Sequence, residues 1–167
     1  SQSVGNLKVL LSNTNATNNA GEYNREINAI TIKHSTNPRY SGYMGAELTY
    51  AHEMVHAATS FAVRYMQGNN KFTHMLRTAY DLFLHNANAE TIAEHLTQIP
   101  NIQERHRIAN MLFNHMTKNE DSLTNLEEFL AIALTDKAMI EILQSIPYKE
   151  ESKTLFQKIR DSFFEIF

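Results

Sequence analysis

Two histidines four positions apart, with a glutamate beside the first, are the residues of this chain whose types and spacing could do chemistry: His52-Glu53-Met54-Val55-His56. On a helix, side chains four apart stand one above the other on one face. His52 and His56 can therefore offer two imidazole nitrogens to a single point, which is what a zinc ion takes from two of its ligands. Glu53 lies one step of about 100° round the helix. Its carboxylate would flank such an ion rather than bind it, within reach of a water held there. The chemistry on offer is hydrolysis by an activated water.

That chemistry requires the run to be helical, and its surroundings predict that it is. From Glu47 to Gln67 there is no proline or glycine, while Gly45 stands just before and Gly68 just after. Leu48, Ala51, Val55, Ala58, Ala62 and Tyr65 recur at helical spacing, so the two histidines fall inside a long, mostly apolar helix.

The chain of 167 residues is read as one domain, large enough to bury a core without staples. It is 43% hydrophobic and 20% charged, the mixture of an ordinary globular protein. A net charge of -3 gives no electrostatic case for nucleic acid or an anionic membrane as partner. Cysteine is absent, which excludes disulfides and thiolate metal sites without naming a compartment. No signal peptide is visible, and no apolar run reaches the roughly 18 residues of a membrane span. The lack of an initiator Met, and an apolar pattern still running at Phe163-Phe164-Glu165-Ile166-Phe167, suggest a piece of a longer protein.

Taken in order, Leu7 to Leu11 reads as a short buried strand and Ser12 to Gly21, dense in Asn and Thr, as a loop. Asn15-Ala16-Thr17 in that loop is a formal glycosylation sequon. Gly21 to Asn24 is expected to turn the chain into a strand over Glu26 to Lys33, ended by Asn37-Pro38-Arg39. Beyond Gly68 the pattern is helical. Phe72, Met75, Leu76, Ala79, Tyr80 and Phe83 mark one helix; Ile92, Ala93, Leu96 and Ile99 mark a second, stopped by Pro100. Ile102 to Met116 is a third, followed by a polar loop over Thr117 to Asp121. Thr124 or Asn125 is expected to cap a helix over Leu126 to Leu134, and Asp136 another over Lys137 to Ile146. After Pro147, Glu150 to Phe167 reads as a final amphipathic helix. A few strands followed by many helices predict an α+β chain, predominantly α-helical, with a small N-terminal sheet packed on a helical body.

Two histidines do not hold zinc; a catalytic site takes a third protein ligand and leaves a position for water. The pattern H-E-x-x-H-x-x-G-x-x-H fails, because Thr59 and Ala62 stand where it needs Gly and His. A glutamate about twenty residues on fails too, since Met75, Leu76 and Arg77 occupy that region. Among the later carboxylates the best context is Thr124-Asn125-Leu126-Glu127-Glu128-Phe129. Leu126, Phe129, Leu130 and Ala133 form an apolar face, with Glu128 at its edge and Glu127 displaced towards solvent. A carboxylate beside such a face is expensive to bury unless something positive compensates it. A surface role for Glu128 stays open here, with His106 and His115 as fallback ligands. His74, His85 and His95 are expected to be exposed or hydrogen-bonded, and the methionines to fill core gaps.

His-Glu-Met-Val-His-Ala-Ala-Thr, residues 52–59, resembles the H-E-x-x-H-A-x-T helix of thermolysin-like zincins. Thr124-Asn125-x-x-Glu128-Phe129-x-Ala131-x-Ala133 resembles the third-ligand helix of the anthrax lethal factor-like peptidases. Together they make the chain similar to a gluzincin-type metallopeptidase domain, of the kind found in large polyvalent proteins of phages and mobile elements. The resemblance implies a zincin-like fold and zinc-dependent hydrolysis of a peptide or protein substrate. It also implies His52, His56 and Glu128 as metal ligands and Glu53 as the general base. A substrate is expected to add along a free edge of the strand Glu26 to Lys33.

Two positions depart from the pattern. The lethal factor-like enzymes carry a tyrosine seven residues before the third ligand, where this chain has Asp121, and a second glutamate four after it, where this chain has Ile132. An oxyanion donor would have to come from elsewhere, with Tyr40, Tyr43, Tyr80 and His34 as candidates. The alternative reading is a zincin fold kept as a binding or assembly domain, slow or inactive in catalysis; a plainer one still is a helical domain without metal.

Overall fold

A computed structural model describes residues 8–12, 21–24, 26, 29–33, 46–60, 63 and 70–165. Leu7, the sequon at Asn15, and His34, Tyr40 and Tyr43 lie outside the described residues, as does most of 61–69. The architecture is predominantly helical, with seven α-helices and small sheets among the described residues. Within the length read as one domain, the fold divides into two compact units, residues 1–61 and 62–167.

In the first unit, β1 (Lys8–Ser12), β2 (Gly21–Asn24) and β3 (Ala29–Lys33) form a sheet in the order β1-β3-β2. β3 runs parallel to β1, with Val9 opposite Ile30, and antiparallel to β2, with Tyr23 opposite Ile30. Gly21 to Asn24, expected as a turn, is thus a strand, because its backbone pairs with β3. The turn falls after it: Asn24 Oδ1 accepts the Glu26 N–H at 3.0 Å, the side-chain-closed turn that asparagine favours. Glu26 therefore belongs to the turn, and the strand expected from there is shorter. β3 has a neighbour on each side, so it offers no free edge to a substrate, contrary to expectation. The long apolar run gives α1 (Ala46–Ser60), which packs on β2 and β3.

The second unit comprises α2 (Asn70–Asn86), α3 (Ala89–His95), α4 (Ile102–Thr117), α5 (Ser122–Thr135), α6 (Lys137–Ser145) and α7 (Leu155–Phe164). Its helix starts are set by short polar side chains that satisfy otherwise orphaned backbone N–H groups. Asn88 and Thr91 cap each other's backbone at the start of α3, and Asn101 accepts from Glu104 N–H at the start of α4. Asp136 accepts the Met139 N–H at 2.9 Å and starts α6, as its sequence position predicts. α5 starts earlier than predicted. Asp121 is its cap, accepting the Leu123 N–H at 3.0 Å, while Asn125 accepts instead from the Asn119 N–H.

The final helix is also shorter than predicted. Pro147–Tyr148 (β4) and Lys153–Thr154 (β5) pair as a small hairpin round a 3-10 turn at Lys149–Glu151, and Ser152 takes the left-handed conformation at φ 54°. α7 begins only after it, with Thr154 and Gln157 in a reciprocal capping box. Lys158 on α7 binds Glu151 of the turn at 2.8 Å, and Lys153 binds Asp161 at 3.0 Å.

α5 is the centre of this unit, packing against α2, α4, α6 and α7. Phe129 is fully buried, stacked on Phe83 with centroids 5.4 Å apart and met edge-on by Tyr80 at 5.3 Å. The Tyr80 hydroxyl donates to the Met116 carbonyl of α4 at 2.8 Å, tying three helices together. Among the described residues, no helix is long and apolar enough to cross a membrane.

Candidate metal centre

α1 carries the His-Glu-x-x-His run without interruption by glycine or proline. One helical turn sets the two imidazoles one above the other, and their Nε2 atoms lie 3.1 Å apart, with ring centroids at 4.8 Å and planes at 68°. Two nitrogens each about 2.05 Å from one zinc ion and at the tetrahedral angle would lie about 3.3 Å apart. The observed spacing thus fits two ligands of one ion, with an N–metal–N angle of roughly 98° on the same bond length. The donor set fits as well, since neutral imidazole nitrogens suit zinc and its neighbours in the first transition row.

Glu53 sits beside this pair. A carboxylate oxygen lies 4.0 Å from His52 Nε2, and the residue is only 6% exposed. His56 is equally buried, whereas His52 is half-buried. An ionised carboxylate beside two neutral imidazoles favours a cation. Thr59, fully buried one turn beyond Val55, donates its hydroxyl to the Val55 carbonyl at 2.7 Å and so adds no free polar group.

Glu128 lies on α5 in the second unit and is half-buried. Among the described residues, His52, His56 and Glu128 make up a candidate metal-binding triad, each offering one donor atom. The expectation for Glu127 fails: it is 7% exposed, not turned to solvent. α5 is covered by four neighbouring helices and is buried over Leu126, Glu127 and Phe129–Ala133, so Glu127 lies on a covered side of the helix while Glu128 lies on its partly open one. The signal was present as five apolar residues in a row, Phe129 to Ala133, which mark a helix enclosed over most of its circumference rather than along one stripe.

The remaining candidates sort by their partners. Asp121, standing where the resemblance has a tyrosine, is the α5 cap. Tyr80 has its hydroxyl committed to the Met116 carbonyl, and burial, helped by nearby Asp81, raises its pKa above the usual tyrosine value. Of the other proposed oxyanion donors, Tyr40, Tyr43 and His34 fall outside the described residues. His106 and His115 are exposed on α4 and do not join the triad. His74 and His85 are exposed, and the His95 ring pairs with the Thr91 carbonyl at 2.9 Å, as expected of ordinary helix histidines.

Comparison with protein-family models, with curated proteins and with solved structures returned no match for this chain.

Proposed function

We propose that the chain is a zinc-dependent peptidase of zincin-like fold, with His52, His56 and Glu128 as metal ligands and Glu53 as general base. The observation that carries the reading is the α1 pair: two Nε2 atoms 3.1 Å apart, with a buried carboxylate 4.0 Å from one of them. A helix with this pair packed on a small sheet supports the zincin-like architecture. Glu128 supplies the carboxylate that the ligand count still needs, and its half-buried position on α5 suits a group compensated by positive charge.

When bound, zinc supplies a Lewis acid that lowers the pKa of water towards about 7 and polarises a carbonyl. Glu53 takes the proton of the attacking water and passes it to the leaving amine, so that the broken C–N bond yields a neutral amine. Its burial keeps competing solvent from the carboxylate and its position one residue after His52 fixes its distance from the ligand face. The substrate is a peptide or protein.

Metal analysis and a peptide-library digest test the reading together. The wild-type chain should carry about one zinc per molecule by the one-site reading, His56→Ala should lose it, and Glu53→Gln should keep it while turnover falls by about 100-fold or more. Full turnover in Glu53→Gln would reject the general base. Zinc bound without any cleavage would support a binding or assembly role on the same fold. No zinc in the wild type would reject the metal centre.

A further inference from the structure

The polar stripe of α1 does not stop at His56. Ser60 stands four residues beyond His56 and seven beyond Glu53, spacings that put all three on one side of the helix. Glu53 and His56 are each 6% exposed and Ser60 is 2% exposed, so the stripe is buried along its length. Among the described residues, Ser60 Oγ is a buried oxygen with no hydrogen-bond partner. Four helix threonines behave differently: Thr59, Thr78, Thr117 and Thr135 each donate to the carbonyl four residues back. That bond is the default refuge of a helix hydroxyl. Ser60 forgoes it, and a buried hydroxyl left without any partner is both rare and costly.

We infer that Ser60 is a positioning residue of the metal centre, its hydroxyl holding an ordered water against the side of His56. This rests on the proposed zinc site. Helix side chains four apart have Cβ atoms about 5–6 Å apart, the span that two hydrogen bonds of about 2.8 Å through one water cover. Because helix side chains lean towards the N-terminus, Ser60 leans over the turn that carries His56. The Ser60 hydroxyl and the His56 ring give such a water the two partners it needs to stay. Groups that hold a ligand imidazole in place tune metal affinity although they never touch the ion.

Zinc titration of the 167-residue chain against a chromophoric chelator tests this, alongside thermal melts of the metal-free proteins. Ser60→Ala should weaken zinc binding about 10- to 100-fold while leaving the metal-free melting temperature unchanged or raised. Ser60→Thr, which restores the hydroxyl, should recover most of the affinity, a rescue that a merely structural role would not give. Equal zinc affinity in wild type and Ser60→Ala would overturn the inference and leave the zinc site standing. A wild type that binds no zinc would overturn both, which separates the two failures.

Discussion

Replacing Phe129 by alanine tests whether α5 is the centre of the second unit. The ring is 0% exposed, stacked on Phe83 and met edge-on by Tyr80. Removing a fully buried phenylalanine costs about 3–5 kcal/mol through lost transfer energy and the cavity left behind. Two well-formed aromatic contacts, each worth about 0.5–1.5 kcal/mol beyond area, push this site to the top of that range, about 5 kcal/mol. Against a typical total of about 5–15 kcal/mol, such a loss leaves little margin. Phe129→Leu fills most of the space but forfeits the ring contacts, so it should cost about 1–3 kcal/mol. Urea unfolding followed by far-ultraviolet circular dichroism measures both, since the chain has no tryptophan to report by fluorescence. A loss below about 2 kcal/mol in Phe129→Ala, or equal losses in the two variants, would refute the assignment of Phe129 as the keystone.

Two more outcomes follow from particular groups. Tyr80→Phe removes the bond to the Met116 carbonyl and should cost about 1 kcal/mol of stability, with any peptidase turnover unchanged; a large drop in turnover would return Tyr80 to the oxyanion candidates. The clasp between the 147–154 hairpin and α7 should weaken in acid. Lys158 holds the Glu151 carboxyl below its ordinary pKa of 4.5, and Lys153 holds Asp161 below 3.8. Carboxylates depressed in the folded state stabilise it above their unfolded pKa, and that contribution is lost as pH falls through the folded value. Protection of the Leu155 amide, which donates to the Ile146 carbonyl at 2.8 Å, should therefore decline below about pH 4. Lys158 is raised above 10.5 by the same pairing with Glu151, so the clasp should also loosen as pH rises through that higher value. Protection that is flat with pH would show that the pairs contribute nothing.

Much of the helical body could be read from the chain. The apolar spacing of Phe72, Leu76, Ala79 and Phe83 fixes α2, and Asp136 fixes the start of α6, because both are local effects of periodicity and capping. The hairpin at 147–154 leaves no mark in the apolar spacing, although the Thr154-x-x-Gln157 box that follows it is a local signal for the start of α7. The place of β3 between two neighbours could not be read, since short strands carry no record of which partner lies on which side.

The candidate site divides in the same way. Sequence alone determined that His52 and His56 share a helix face with Glu53 beside them, because a single turn of backbone hydrogen bonds dictates that arrangement. Only the tertiary structure decided that Glu53, His56 and Ser60 are buried and that Glu127 is enclosed while Glu128 is half-buried. Burial depends on what packs over a helix from distant parts of the chain, and no local spacing encodes it.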